Sequence, residues 1–401
     1  MNVQEAGRTT GALVEVGGRH GRRWLLIGIA ALAAAGVLCV LLLCRGPSVD
    51  ERLAAIEASR AIPDTENAAV LYREILERWG TISVDMAGPG GAAARLASTR
   101  PWRGQDHPEL AWWLDEHEGL LAELRKATQR EQCRLPLWIE PQPTSSPSMF
   151  AAMRGWAYLM VRSMNRDIGE GRTDNALTTC RSLCRLADHL KQQPTALCYM
   201  VGIAIEALTF NGISAFIVDE PAATNDRLDR LESFLLSAQD RWEQDRAQRA
   251  PIEELLRQKQ NGRLRLIERL RLRLNDSSEE VVTKRIRELS MRRLSQRRGI
   301  SILMALRRYK NDKGEWPETL AEIAPTLPAE ILVDPRSDGP FLYKRTDDRF
   351  VLYGVGPNRM DEGGANNGSG ADDWPIWLED DEVPDSGQNG DVNDPEASYG
   401  P

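Results

Sequence analysis

One long uncharged run near the N-terminus limits what this chain can be. Residues 24–44 read WLLIGIAALAAAGVLCVLLLC and contain no charged side chain. As a helix with a rise of about 1.5 Å per residue, the run is about 31 Å long, which is close to the hydrocarbon thickness of a bilayer. The sequence therefore predicts a transmembrane helix over 24–44, with the lipid bilayer as its partner.

The charges around this run predict its orientation. Four arginines lie before it, whereas Arg45 is soon followed by Asp50 and Glu51. Since positively charged flanks stay in the cytoplasm, residues 1–23 are expected to form a cytoplasmic tail and the chain beyond Ser48 to lie outside. The predicted location is the cytoplasmic (inner) membrane, with a single crossing.

A cleaved signal peptide is the alternative interpretation. The apolar core of a signal peptide is usually about 7–15 residues long and is followed by small residues at the cleavage site. The three alanines at 33–35 would provide such a site, but further apolar residues follow them up to Cys44. The length of the run therefore favours an uncleaved anchor.

Residues 50–299 are predicted to form an exported α-helical body. The clearest unit in it is a helix over 149–169, the short turn GEGRTD and a second helix over 175–192. Two helices joined by so short a turn are expected to pack as an antiparallel hairpin. Cys180 and Cys184, one turn apart on the second helix, fit a buried apolar stripe better than a disulfide.

Residues 195–218 are long and apolar enough to be weighed as a second membrane span. Glu206 stands at the centre of this segment, where an acidic residue costs about 2.5–3.5 kcal/mol on the insertion scale for Asp. Asp219 and Glu220 would form the cytoplasmic flank of a second crossing, which also argues against it. The segment is therefore predicted to be a buried core helix.

Charge is distributed unevenly along the chain. Residues 263–298 hold twelve Lys or Arg against five acidic residues, whereas residues 361–401 hold twelve acidic residues and no Lys or Arg. The basic stretch has no interleaved aromatics and is predicted to lie outside the cytoplasm, which argues against nucleic acid as a partner. A solvated helix pair is the preferred interpretation, and contact with anionic lipid is the alternative. Residues 379–401 are predicted to form a disordered acidic tail.

The pattern changes near residue 300, and a small α+β domain is predicted over 300–378. Ile302, Leu303 and Leu306 indicate a short helix. The later runs FLYKR and RFVLYGV are rich in β-forming residues and are separated by the polar turn 346–348, which is typical of two adjacent strands.

The same region carries an ordered set of residues that resembles a known family. The set comprises Tyr309, Gly314, Pro317 and Leu320, then Asp334-Pro335, then Gly339, Phe341 and Tyr343, and finally LYGVG at 352–356. This succession resembles the globular domain of the major pseudopilin of type II secretion. The leader departs from that family, because it lacks the short basic segment before a Phe and the Glu early in the apolar helix. The complete arrangement is similar to that of uncharacterised membrane-anchored proteins of planctomycete-type bacteria.

The resemblance to the pseudopilin implies a calcium site in the loop that follows the last of these strands. By position, Asp372 and Asp373 match the acidic pair of that family, with Asp361 and Asn358 as further ligands. The residues are compatible with this, because Ca²⁺ takes about six to eight oxygen ligands and a glycine-rich loop can present carbonyls beside carboxylates. An ordinary acidic linker is the alternative interpretation of the same loop.

No catalytic motif accompanies these features. The four histidines lie on separate segments, and the sequence has no nucleophile elbow, phosphate loop or dinucleotide fingerprint. We therefore expect an anchored interaction or scaffold protein with protein partners rather than an enzyme. An exported hydrolase, with a site assembled from scattered residues of the helical body, is the alternative. An accessory part of a secretion machine is a third hypothesis, which rests on fold analogy alone.

Overall fold

The computed structural model describes residues 47–82, 90–137, 149–235, 246–263, 277–356, 358–366 and 372–378. The predicted cytoplasmic tail at 1–23, the transmembrane helix at 24–44 and the acidic tail at 379–401 lie outside these residues. Within them the protein is mostly helical, with a small antiparallel sheet near the C-terminus, as predicted.

The described ranges contain eleven helices. They are α1 (Val49–Arg60), α2 (Ala68–Trp79), α3 (Gly90–Ala97), α4 (Pro108–Glu116), α5 (Glu118–Ala127), α6 (Met149–Gly169), α7 (Thr173–Lys191), α8 (Ala196–Asp219), α9 (Asn225–Leu235), α10 (Arg246–Arg263) and α11 (Ser277–Lys313).

Three short 3-10 turns and five strands follow α11. The turns are Leu320–Glu322, Ala324–Thr326 and Ala329–Leu332, and the strands are β1 (Val333–Asp334), β2 (Gly339–Pro340), β3 (Leu342–Thr346), β4 (Arg349–Gly354) and β5 (Trp374–Trp377). β1 pairs with β2, and β3, β4 and β5 form a second sheet in that order, with antiparallel pairing throughout.

The chain divides into two compact units, Met1–Ala55 and Ile56–Pro401. The described part of the first unit contains the beginning of α1. There Ser48 N donates to Glu51 Oε2 at 2.7 Å, and Glu51 N donates to Ser48 Oγ at 3.2 Å. This reciprocal pair is a capping box, which satisfies two of the backbone donors that a helix start leaves free. All features described below belong to the second unit.

The helical hairpin predicted from the sequence is present. α6 and α7 are joined by residues 170–172, and they pack along each other and along α8. Buried side chains such as Trp156 and Leu183 belong to the core that these helices share. The four described cysteines are buried with free thiols, so Cys180 and Cys184 belong to the apolar stripe, as expected.

Of the described helices, α8 is the one long and apolar enough to cross a membrane, and most of it is buried inside the protein. Glu206 lies in its middle and binds three cations. Lys191 of α7 donates to Oε2 at 3.0 Å, Arg297 of α11 donates to Oε1 at 2.9 Å, and Arg293 of α11 donates to both oxygens. Burial alone would raise the pKa of Glu206, but the three cations outweigh it and hold the pKa well below its ordinary value. This ion cluster joins three helices and gives α8 the surroundings that a core helix needs.

α11 is 37 residues long and runs without interruption through the domain boundary predicted at residue 300. The short helix predicted after that residue is the C-terminal part of α11, because the arginine-rich stretch before it continues the same helix. Ile300 and Leu303 share one hydrophobic core with Phe350 of β4 and with the helical hairpin. The sheet approaches α11 closely, since a Cβ at Gly299 would lie 2.5 Å from Ile376 of β5.

Both strand predictions are confirmed, and a third strand adds to them. FLYKR covers β3 except for Thr346, and RFVLYGV contains β4. β4 also pairs with β5, where Leu352 faces Trp377 and Gly354 faces Trp374. Pro375 in β5 has no N–H to donate, which suits a strand at the edge of a sheet. This pairing brings the end of the loop 355–373 back to the sheet and so positions the predicted site residues.

Candidate cation-binding loop and charged cleft

The loop between β4 and β5 is organised around Asp373. This residue is fully buried, and its Oδ2 accepts hydrogen bonds from the backbone N–H of Glu362 at 2.9 Å and of Gly364 at 2.8 Å. Its backbone carbonyl accepts from the side-chain amide of Asn366 at 2.9 Å. One carboxylate therefore ties the middle of the loop to the residue that precedes β5.

Asp372 lies against the beginning of the same loop. Its Oδ2 accepts a long hydrogen bond from the N–H of Asn358 at 3.4 Å. A Cβ at Gly356 would lie 1.9 Å from Asp372 Oδ1, so only glycine leaves room for this carboxylate. The last glycine of LYGVG is explained by this contact.

The two further predicted ligands, Asp361 and Asn358, organise the loop through hydrogen bonds. Asp361 Oδ1 accepts from the Tyr353 hydroxyl at 2.8 Å and from the N–H of Gly363 at 2.9 Å. The Asn358 amide donates to Glu362 Oε1 at 2.6 Å, and its Oδ1 accepts from the N–H two residues further on at 2.7 Å. Both residues therefore already have partners within the protein.

Three carboxylate oxygens of this loop are buried without a hydrogen-bond donor: Oε2 of Glu362, Oδ1 of Asp372 and Oδ1 of Asp373. Burial raises the pKa of Asp373, and the neighbouring Glu362 carboxylate adds to this rise against the two backbone N–H groups. Adjacent carboxylates at buried positions stay charged together only if a cation lies between them, and otherwise one of them binds a proton. Glu362 is thus a site residue that the sequence interpretation missed.

This arrangement meets part of what a hard cation requires. Carboxylate oxygens are the ligands that Ca²⁺ prefers, but it takes about six to eight of them. Among the described residues there is no group of three or more His, Cys, Asp or Glu that could hold a metal ion. Backbone carbonyls would therefore have to complete the coordination. Arg336 supplies some countercharge, because its guanidinium interacts with the charges of Asp372 and Asp373, and its Nη1 lies 3.5 Å from the Asp372 carbonyl oxygen.

Asp334, in the Asp-Pro pair that resembles the pseudopilin, has a different role. It is fully buried, and its Oδ1 accepts from the Ser295 hydroxyl of α11 at 2.7 Å and from the N–H of Arg336 at 3.3 Å. The Ser337 hydroxyl lies 3.4 Å from its other oxygen. Asp334 therefore joins the sheet region to α11.

A cleft of about 360 Å³ opens in the helical body, between α4 and α5 on one side and the α6–α7 hairpin on the other. Its lining is mostly charged and polar and consists of Leu114, Asp115, Glu118, Leu121, Arg125, Ser163, Arg166, Asp167, Arg172 and Asn175. Hydrogen bonds join three pairs of opposite charge across this lining: Arg166–Asp115 at 2.6 Å, Arg172–Asp167 at 2.6 Å and Arg125–Glu118 at 3.0 Å. Burial raises the pKa of Asp167, although Arg172 opposes the rise.

None of the described histidines lines this cleft. His189 lies in the core, where its Nε2 donates to the Arg130 carbonyl at 2.9 Å and its Nδ1 accepts from the Tyr72 hydroxyl at 2.9 Å. Burial lowers the pKa of His189 to about 4, so the ring is neutral at pH 7. This histidine serves packing and hydrogen bonding.

Comparison with models of protein families, with curated proteins and with solved structures found no match for this chain. The similarity of residues 300–378 to the major pseudopilin therefore stays a prediction from the residues quoted above.

Proposed function

We propose that this chain is a membrane-anchored, exported interaction protein, in which a helical body carries a pseudopilin-like cap with a calcium-binding loop. The observation that carries the proposal is the group of unpartnered carboxylate oxygens on Glu362, Asp372 and Asp373. In the helical body, by contrast, the buried groups Glu206 and His189 have partners within the fold. The C-terminal loop therefore has carboxylate oxygens that could bind a cation, whereas the polar atoms of Glu206 and His189 are already hydrogen-bonded within the fold.

A bound Ca²⁺ would add to the positive charge that Arg336 supplies, with the adjacent carboxylates of Glu362 and Asp373 as hard oxygen ligands and backbone carbonyls completing the coordination. A hairpin of β3 and β4 alone is marginally stable. Because the loop connects β4 to β5, a cation that fixes the loop would also hold the third strand in place. Partners would then meet a surface whose order depends on calcium, and Met360, which is largely exposed in this loop, belongs to that surface.

If residues 24–44 anchor the chain as predicted, this cap would lie on the outer side of the cytoplasmic membrane. In that compartment protein partners are favoured over nucleic acid. The pseudopilin-like features of the cap favour an envelope or secretion assembly, by analogy of fold.

Alkaline phosphatase fusions test the orientation. A fusion after Ser48 is expected to be active and a fusion at Gly17 inactive, because this reporter works only outside the cytoplasm. The reverse pattern would contradict the proposed topology.

Photocrosslinking in intact cells tests the interaction role. A photoreactive residue at Met360 is expected to crosslink to a protein partner, and chelation of calcium is expected to reduce this crosslink. The matched control is a photoreactive residue at Ser233, which is exposed on α9 of the helical body. A loop position that gives no more crosslinking than Ser233, with or without chelator, would contradict the proposal.

A hydrolase is the second candidate function, and the charged cleft is the observation that favours it. A hydrolytic site needs a pocket lined by ionisable groups, and Asp115, Glu118 and Asp167 line this one. A carboxyl group with a raised pKa, such as Asp167, is suited to proton transfer. Hydrolysis of ester, peptide or glycoside reporters by the full chain, lost in Asp167→Asn, would support this function. Equal rates of hydrolysis in the wild type and the variant would show that the cleft is not an active site.

A further inference from the structure

The charged cleft of the helical body is built around the turn of the α6–α7 hairpin. Glu170 in that turn accepts from Arg166 Nε at 3.1 Å, from the N–H of Gly104 at 3.0 Å, and also from Arg172. One carboxylate therefore fixes two of the three arginines that line the cleft. A binding site whose charged groups are held in place in this way loses little entropy when a ligand enters.

The inner part of the cleft keeps charges of both signs away from bulk water. The Asp167 side chain is 9% exposed and the Arg166 side chain is 19% exposed. Arg172 uses Oδ1 of Asp167, which leaves Oδ2 to accept from a further donor. Charge-assisted hydrogen bonds are stronger in such surroundings than at the open surface.

At the rim of the cleft, the partners of two arginines are exposed carboxylates. Asp115, which binds Arg166, is 65% exposed, and Glu118, which binds Arg125, is 62% exposed. Ion pairs with such exposed partners contribute little to stability. A ligand carboxylate can replace either of them at small cost, because a guanidinium binds a carboxylate through two parallel N–H groups.

The balance of charge restricts the ligand. The lining contains three arginines and three acidic residues, and Glu170 adds a negative charge beside Arg166 and Arg172. A ligand with one group of each sign can pair with an arginine and with Asp167 and leaves the net charge of the cleft unchanged. The volume of about 360 Å³ lies near the lower end of the range of about 300–1,000 Å³ for small-molecule sites. The ligand must therefore be small as well as doubly charged.

We propose that this cleft binds a small zwitterion of the class of α-amino acids and dipeptides. The carboxylate of the ligand replaces Asp115 on Arg166, and its ammonium group donates to Asp167 Oδ2. No covalent bond changes in this step. The site requires neither calcium nor the C-terminal loop, so its failure would leave the proposed interaction function untouched.

Isothermal titration calorimetry of the full chain in detergent micelles tests the proposal with three matched probes. L-alanyl-L-alanine has both charges, its N-acetyl derivative lacks the ammonium group, and its C-terminal amide lacks the carboxylate. We expect the dipeptide to bind with a Kd of about 1 mM or lower, and each blocked derivative to bind at least about tenfold more weakly. Equal affinities for all three probes, or no saturable binding of the dipeptide up to about 10 mM, would overturn the proposal.

Two variants test the assigned contacts. In Asp167→Asn the advantage of the dipeptide over its N-acetyl derivative should disappear, because the acceptor for the ammonium group has lost its charge. Asp115→Asn should bind the dipeptide several-fold more tightly, because the ligand no longer competes with a protein carboxylate for Arg166. Asp115 is exposed, so this second variant folds even if Asp167→Asn does not.

Arg230→Gln is the matched control for both variants. It breaks the exposed pair Arg230–Asp174, which has a length of 2.8 Å and lies outside the lining of the cleft. All three affinities should be unchanged in this variant. If Asp115→Asn behaves like Arg230→Gln, the ligand does not take the place of Asp115 and the proposed binding mode is wrong.

Discussion

Glu206 in the helical body and Asp373 in the C-terminal loop are both buried carboxylates, yet their surroundings differ. Three cations surround Glu206, and together they donate to both of its oxygens. Asp373 and Glu362 lie beside each other instead, with backbone N–H groups on one oxygen of Asp373 and no donor on its other oxygen. Cations donate directly to Glu206, whereas in the described loop the donors to the carboxylates of Glu362, Asp372 and Asp373 are backbone N–H groups and the Asn358 amide.

This difference shows how one chemical group supports two roles. A buried carboxylate that is fully paired fixes the helices that supply its partners, because its removal takes a counter-charge from cations inside the fold. A buried carboxylate oxygen without a donor lowers stability, and binding a ligand, an ion or a proton removes this cost. The Glu206 cluster therefore has a structural role, and for the loop we propose a binding role.

Glu206→Gln is expected to have the largest effect, a loss of about 3–5 kcal/mol in the free energy of unfolding, because buried Arg293 and the largely buried Arg297 and Lys191 would each lose an ion pair. Urea unfolding of the full chain in detergent, followed by circular dichroism, measures this loss. The matched control is Glu254→Gln, since Glu254 forms an exposed pair with Arg257 and should matter by less than about 0.5 kcal/mol. Equal stabilities of the two variants would show that Glu206 contributes no more to stability than an exposed carboxylate does.

His189 provides a test by pH within the same helical body. Its pKa is lowered to about 4 by burial, whereas an unfolded histidine titrates near 6.5. Between these values the unfolded state binds more protons, so stability falls as the pH falls, by about 3 kcal/mol at pH 4. In His189→Gln the loss of stability between pH 7 and pH 4 should be smaller by about this amount. Parallel pH profiles of wild type and variant would show that His189 is not a buried neutral group.

Ser295→Ala tests whether Asp334, the paired carboxylate of the C-terminal region, contributes to stability as Glu206 does. Removing this hydroxyl takes one donor from buried Asp334, and we expect a loss of about 1–2 kcal/mol in the free energy of unfolding. Ser233→Ala is the control, because that hydroxyl is exposed and donates only to a nearby carbonyl. If both substitutions are neutral, Asp334 does not join the sheet region to α11 as described.

Local periodicity was enough to predict the hairpin and the strands β3 and β4, because each depends on side chains close together in sequence. The length of α11 could not be predicted in this way, since its arginine-rich part and its apolar part have different compositions but form one helix. β5 was missed for another reason. Trp374–Trp377 contains a proline and becomes a strand only through its pairing with β4.

The residues of the candidate sites were even harder to predict from local sequence than the helices and strands. Asp372 and Asp373 were predicted from their position, but Glu362 is one of many acidic residues in this part of the chain. Its proximity to Asp373 depends on the closure of the loop onto β5. The cations around Glu206 lie 15 residues before it and 87 and 91 residues after it, so nothing local in the sequence indicates them. The charged cleft likewise requires α4 and α5 to face the hairpin turn.

The central claim is that a cation completes the unpartnered oxygens of the C-terminal loop. Thermal unfolding of the full chain in detergent, with calcium about 100-fold above its Kd and with chelator, tests this directly. Binding to the native state alone would stabilise the protein by about 2.7 kcal/mol. We predict that calcium raises the melting temperature of the wild type and of the control Asp347→Asn/Asp348→Asn, whose acidic pair lies in the β3–β4 turn. Glu362→Gln/Asp372→Asn should respond to neither calcium nor chelator. The claim is contradicted if the wild type melts at the same temperature with calcium and with chelator. If lowering the pH toward the raised pKa of Asp373 then stabilises the protein, a proton rather than a cation completes the loop.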